Sequence, residues 1–192
     1  MDLMFRSINC DAFENIYKDL LNQFPVKELK TYDEFLELLG TDEYKIYQVI
    51  DNNVEVAYVI LFEDKVHKVI WLDYIAVFTE FHSLGYGSRI LDGLKSLYPD
   101  YTGCYLEVEK VNSDDITTVR RVKFYKKNGA EKLDINYIYP NNYGGLEMDL
   151  YFIPYKEVSV GKEFSIHVIQ YVFSKLHNNI LCINDILTKI LE

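Results

Sequence analysis

The stretch Val69–Leu97, VIWLDYIAVFTEFHSLGYGSRILDGLKSL, decides the fold. Val69 to Val77 is apolar except for Asp73 and rich in β-branched and aromatic residues, as expected of a strand covered on both faces. His82-Ser83-Leu84-Gly85-Tyr86-Gly87 follows as a glycine-bearing turn, and Ile90, Leu91, Leu94 and Leu97 then recur at helical spacing. A glycine turn that feeds a helix start leaves several backbone N–H groups unpaired and pointing one way, which suits a phosphate. A tight strand-to-helix connection with no ligand reads equally well from these residues alone.

Outward from this segment, His82-x-x-Gly85-x-Gly87 resembles the Q/R-x-x-G-x-G/A acyl-CoA-binding motif of the GNAT acetyltransferase superfamily, with His82 in place of Arg or Gln. Arg120-Arg121-Val122-Lys123-Phe124-Tyr125-Lys126-Lys127-Asn128-Gly129-Ala130 is similar to the family's second signature, a helix carrying F-Y-x-x-x-G that runs into a strand. Two motifs in the family's order are more specific than either alone, and the resemblance covers residues 1 to about 155.

The resemblance implies a GNAT-like α/β fold: a mixed, mostly antiparallel sheet flanked by helices. It implies acetyl-CoA as cosubstrate, with the pyrophosphate on backbone amides of Leu84, Gly85, Tyr86, Gly87 and Ser88, beside His82 and Ser83. The pantetheine arm would pair with the strand edge at Ile75, Ala76 and Val77. Tyr125 aligns with the helix tyrosine that serves as general acid. Thr118 stands where many relatives carry an Asn that touches the cofactor. Phe24 and Tyr32, near the join of the first two helices, become candidate walls of an acceptor pocket, with core packing as the alternative.

The base must come from the residues themselves. Glu107 and Glu109 share one face of a strand over Tyr105–Glu109, where a carboxylate could take an amine proton through water; a solvated strand face reads the same way. No metal is expected.

The rest of the chain fits this plan. Residues 11–24 carry an amphipathic helical pattern ending before Pro25, and Thr31 with Glu34 forms a capping box for a second helix closed by Gly40. Tyr44–Ile50 and Val54–Phe62 are strands joined at Asp51-Asn52-Asn53, a hairpin turn. Ile116–Asn128 is a helix, and Leu133–Tyr139 and Leu146–Ile153 are two further strands. Residues 1–154 form the acetyltransferase-like domain. Residues 155–192 form a C-terminal helical extension of two apolar helices, to be buried on this domain or in a homodimer.

Composition sets the bounds. With 192 residues, 49% of them hydrophobic, and four prolines, the chain can bury a full core. Three cysteines, Cys10, Cys104 and Cys182, make no paired framework, and the first residues lack a signal-peptide pattern, so a cytoplasmic setting is expected. No apolar run is long enough for a bilayer, so no membrane partner is expected. A net charge of −10 argues against nucleic acid and is compatible with a cationic amine acceptor, though acidic balance also serves solubility. Two functions follow: an N-acetyltransferase acting on a primary amine of a small molecule or peptide by direct attack, or a catalytically silent acyl-CoA-binding module. A soluble α/β protein with another ligand is a third.

Overall fold

The computed structural model describes residues 3–191, in a mixed α/β arrangement. Its strands are β1 (Met4–Ile8), β2 (Tyr44–Asp51), β3 (Val54–Asp64), β4 (Val69–Val77), β5 (Gly103–Glu109), β6 (Glu131–Lys132), β7 (Ile138–Tyr139) and β8 (Leu146–Pro154). The helices are α1 (Phe13–Gln23), α2 (Tyr32–Leu39), α3 (Tyr86–Leu97), α4 (Ile116–Lys127), α5 (Lys162–Leu176) and α6 (Ile183–Leu191). The sheet runs β1-β2-β3-β4-β5-β8-β6, with β7 also on β8. Every pairing is antiparallel except β4 with β5.

The sequence signals act as local chemistry requires. At the β2–β3 turn Asn52 and Asn53 both take positive φ (50° and 65°), a conformation in which Asn is among the better-tolerated side chains. Thr31 caps α2 in a full capping box: Glu34 N–H donates to Thr31 Oγ1 at 3.3 Å, and Thr31 N–H donates to the Glu34 carboxylate at 2.6 Å. One expected element differs. Leu133–Tyr139 is no continuous strand: β6 (Glu131–Lys132) ends before it, and only β7 (Ile138–Tyr139) lies within it. Tyr137 N–H turns back to Ile135 C=O at 2.8 Å, a local bond that takes this donor from the ladder and bends the chain.

Two apolar clusters cover the two sheet faces. Phe13, Leu20 and Phe35 of α1 and α2 share one with Trp71, Tyr105 and the α5 residues Val168, Val172 and Phe173. Ile90 and Leu94 of α3 and Val122 and Tyr125 of α4 share the other with Ile70, Leu72 and Leu106. In β4 the alternation changes parity partway along. Val69 and Trp71 face the α1/α2/α5 side, but so do Tyr74 and Ala76. The cause is a bulge: Ile60 pairs with Tyr74 and Leu61 with Leu72, so Asp73 is the extra residue.

Helices α5 and α6 pack on the same face as α1 and α2. Val168, Ile169, Val172 and Phe173 are at most 1% exposed, and Ser165 Oγ lies 2.9 Å from the Tyr105 hydroxyl. Each such apolar side chain is worth roughly 1.5–3 kcal/mol of burial, so together they rival the net stability of a domain. Truncation after Pro154 is therefore expected to give a chain that aggregates or melts markedly lower. A truncated protein as soluble and as thermally stable as the full chain would refute this.

Candidate functional site

Strands β4 and β5 pair only over Val69–Leu72 and Gly103–Leu106. Beyond that point β4 follows β3 to Val77 while β5 follows β8 to Glu109. The sheet is open between them, starting at the Asp73 bulge. Through this opening, side chains from opposite faces of the sheet meet. A cavity of about 170 Å³ lies at the α1/α2 side, lined by Phe24, Glu28, Asp73, Glu107 and Tyr139 among others. A groove of about 480 Å³ runs past Ile75–Val77, the glycine turn and α4. Gln23, Ile75, Arg121 and Tyr125 line both, so groove and cavity are continuous.

The turn at the head of the groove is built for exposed backbone donors. Gly85 caps α3 in the left-handed region (φ +83°), and Ser83 also takes positive φ (+63°). Among the described residues, the first backbone bond into α3 is Arg89 N–H to Gly85 C=O at 3.3 Å; none is donated by residues 83–88. Those amides face outward at a helix N-terminus, where an anion is favoured. His82 lines the groove. Its Nε2 donates to the Val77 carbonyl at 2.8 Å and ties the turn to the end of β4. Ser83, Tyr86 and Ser88 line the groove, whereas the Leu84 side chain is exposed.

The two glycines are required for different reasons. A Cβ at Gly85 would meet nothing within 4 Å, so its requirement is the left-handed backbone. A Cβ at Gly87 would lie 2.8 Å from Phe124 Cζ, so α3 approaches α4 only because this residue has no side chain.

Tyr125 is 8% exposed and lies at the junction of groove and cavity. Burial pushes its phenol up to about 12, while Arg121, one helical turn earlier, pulls the other way. Among the described residues, no protein group bonds its hydroxyl. Thr118 is not brought to the groove. It is buried, and its hydroxyl accepts from Asn112 N–H at 3.0 Å and donates to Asp115 C=O at 2.9 Å, holding the loop before α4. The expected cofactor contact there gives way to this loop capping.

The carboxylates divide by partner. Lys30 Nζ lies 2.7 Å from Asp73 Oδ2, with both side chains at most 5% exposed, and the Tyr44 hydroxyl donates to the same oxygen. Glu107 accepts from the Tyr137 hydroxyl and from Trp71 Nε1 at 3.3 Å. Burial pushes the Glu107 carboxyl up to about 7, the charge of Asp73 adds to the rise, and Tyr137 and Lys30 oppose it. Glu109 is ion-paired with Arg121, so its carboxylate is already engaged. Of the two wall candidates, Phe24 lines the cavity, whereas Tyr32 stacks on Phe13 at 5.6 Å in the core.

Sequence reasoning missed Glu28, Lys30, Tyr44 and Arg121. Lys30 and Asp73 are 43 positions apart, and no local pattern announces their contact. Arg121 sat in view, four residues before Tyr125 and thus on the same helix face.

Two outcomes are expected. Gly87→Ala should lower thermal stability by driving its methyl group into the Phe124 ring, and Phe124→Leu in the same chain should restore part of the loss. Equal losses with and without Phe124→Leu would refute the contact. The second outcome concerns pH. Folded Glu107 keeps its proton up to about pH 7, against 4.5 ordinarily, so between those values the folded state binds more protons than the unfolded. Its contribution therefore weakens as pH rises, by on the order of 3 kcal/mol across the window. His177, kept neutral by burial, acts in the opposite sense below about pH 6.5 and is common to both proteins compared. Urea midpoints at pH 5 and pH 8 should show a smaller loss on raising pH in Glu107→Gln than in the wild type; identical losses would refute it.

The fold is found in known proteins. The sequence model of the acetyltransferase (GNAT) family matches residues 11–130. No curated protein sequence gives a significant match. Among solved structures, a protein assigned to the GNAT acetyltransferases from Bacteroides thetaiotaomicron is 18% identical, with a TM-score of 0.72 over 88% of this chain and 95% of that one. A ribosomal-protein alanine N-acetyltransferase from Escherichia coli is 19% identical, with a TM-score of 0.57 over 83% and 97%. A dodecameric spermidine N-acetyltransferase from Vibrio cholerae is 14% identical, with a TM-score of 0.56 over 79% and 91%. At these identities the structures support the fold, and the family match carries the assignment: this chain belongs to the acetyltransferase (GNAT) family, whose members generally use acetyl-CoA.

Proposed function

We propose that this acyltransferase moves an acetyl group from acetyl-CoA to a primary amine of a small molecule or peptide by direct attack on the thioester. The observation that carries the reading is the continuity of groove and cavity at Tyr125. The cosubstrate's pyrophosphate sits against the free amides at residues 84–88, and its pantetheine runs along the β4 edge at Ile75–Val77, which β5 leaves unpaired. The thioester then reaches the opening in the sheet, and the amine enters from the cavity on the other side.

The chemistry needs a neutral amine, a donor for the leaving thiolate and a surface that holds an ammonium ion. Tyr125 supplies the donor: its hydroxyl has no competing protein partner, and burial keeps it protonated throughout the neutral range. The cavity carries more carboxylates than cations. Asp73, Glu107 and Glu28 line it, while Lys30 is held by Asp73 and Arg121 by Glu109. This balance favours a cationic acceptor, and the volume of about 170 Å³ favours a slender one. Cys10, Cys104 and Cys182 are free thiols, which suits a reducing cytoplasm. None of the three lines the cavity or the groove, so no acyl-cysteine step is needed.

Tyr125→Phe should lower thiol release from acetyl-CoA, in the presence of an amine acceptor, by about a hundredfold or more. Acetyl-CoA affinity by calorimetry should stay within about twofold, because the ring and its packing remain. An equal rate in both proteins would reduce Tyr125 to a packing residue. Wild-type protein that binds acetyl-CoA but releases no thiol with any primary amine would overturn the transferase reading.

A further inference from the structure

We propose that Glu28 is the group that takes the proton from the acceptor's ammonium, while Glu107, held in place by Tyr137 and Trp71, positions the acceptor in the cavity. This rests on the transfer reading above. The carboxylates at the opening differ in how many of their lone pairs protein donors already hold. Asp73 is engaged by Lys30 and Tyr44, Glu107 by Tyr137 and Trp71, and Glu109 by Arg121. Among the described residues, no protein N–H donates to the Glu28 carboxylate. Its polar neighbours are the Glu109 carboxylate, close enough to share a proton with it in a hydrogen bond, and the Arg121 charge.

Its position is fixed although its carboxylate is not. Glu28 ends a single 3-10 turn, Val26–Glu28, and its backbone carbonyl accepts from two buried phenols: Tyr74 at 2.7 Å and Tyr139 at 3.0 Å. A turn held at two points aims the side chain into the cavity at a constant place. Arg121, which lines both cavity and groove, is the residue whose charge Glu28 feels through the opening. Glu107 lines the same cavity but is held by Trp71 and Tyr137, whereas Glu28 shares it with Tyr125 free of such donors. Glu28 is also half-buried, so a proton it receives can leave to water.

The proton balance closes. The bound ammonium gives one proton to Glu28, and the neutral amine forms the C–N bond at the thioester carbon. Collapse breaks the C–S bond; Tyr125 gives its proton to the departing sulfur and regains one from the new amide nitrogen. One proton per turnover leaves through Glu28. Burial, then the facing Glu109 charge, pushes the Glu28 carboxyl up to about 7, with Arg121 opposing, so it exchanges protons readily near neutral pH. Asp73, Lys30 and Glu107 are the other charged groups lining or bordering the same cavity.

The test is the pH dependence of amine kcat/KM. It uses acetyl-CoA, the primary amine that a panel identifies as acceptor, and the full chain as wild type, Glu28→Gln and Glu107→Gln. The wild type should show an acidic limb near pH 7 and a plateau above it. Glu28→Gln should fall about a hundredfold at pH 7 and climb about tenfold per pH unit, because only the free amine then reacts. Glu107→Gln should raise KM and keep the limb. Glu28→Asp should retain the limb at a lower rate, which a purely structural role would not give. Carbon-13 NMR of the glutamate carboxyls, which needs no acceptor, should show a resonance titrating near pH 7 that is missing in Glu28→Gln. A plateau above pH 7 that survives in Glu28→Gln, a limb near pH 7 lost only in Glu107→Gln, or a Glu28 carboxyl titrating near its ordinary 4.5 would each overturn the assignment. Absence of turnover with every amine would instead sink the transferase reading itself, and this role with it.

Discussion

The buried ion pair between Lys30 and Asp73 is the constraint on which the site depends. Asp73 is the bulge residue at which β4 changes parity and parts from β5. A charge at that position, 1% exposed, is tolerable only because Lys30 and the Tyr44 hydroxyl meet it. Removing either charge would leave the other uncompensated, at a cost of roughly 3–5 kcal/mol. Replacing both with apolar groups could leave the fold as stable, so the pair is better understood as fixing geometry than as adding stability. What it fixes is the segment from Phe24 to Lys30, which forms one wall of the cavity, against the strand that forms the other.

Phenols complete that wall. Tyr74 and Tyr139 converge on one backbone carbonyl at Glu28, and Tyr137 reaches Glu107. All three are buried, and burial raises their pKa values well above the ordinary phenol, so they act as donors at any physiological pH. A donor that never ionises holds its acceptor in one orientation. Tyr137 reaches its place because Leu133–Tyr139 is bent by the bond from Tyr137 N–H to Ile135 C=O. The departure from a regular strand is thus part of how the site is built.

Which parts were legible in the sequence follows from the range of the interactions. The capping box at Thr31, the Asn52-Asn53 turn and the glycine turn before α3 are local, and each is written within a few residues. Gly87 was legible as a residue but not as a reason, since its partner Phe124 lies on another helix. The parity change at Asp73 was present in the pattern of Val69, Trp71, Tyr74 and Ala76, yet a strand covered on both faces is apolar at every position and conceals its own register. Thr118 shows the reverse. A residue aligned with a family position proved to serve the loop beside it. The charge pairs at the opening, Lys30 with Asp73 and Arg121 with Glu109, are tertiary and left no local trace.

The opening also explains why the cavity can be so acidic without being unstable. Its two cations are each held by a carboxylate, so neither neutralises Glu28 or Glu107 fully. Both of these carboxyls rise to about 7, the first cause in each case being burial. Near neutral pH the empty cavity therefore keeps part of its charge neutralised by protons, which a bound cation would displace. On the proposed transfer reading, an ammonium acceptor would offset the desolvation cost of ionising these carboxylates. On the same reading, an anionic acceptor would offer no such exchange and would meet the negative charge that remains, so selection would act on charge before any contact of shape is made.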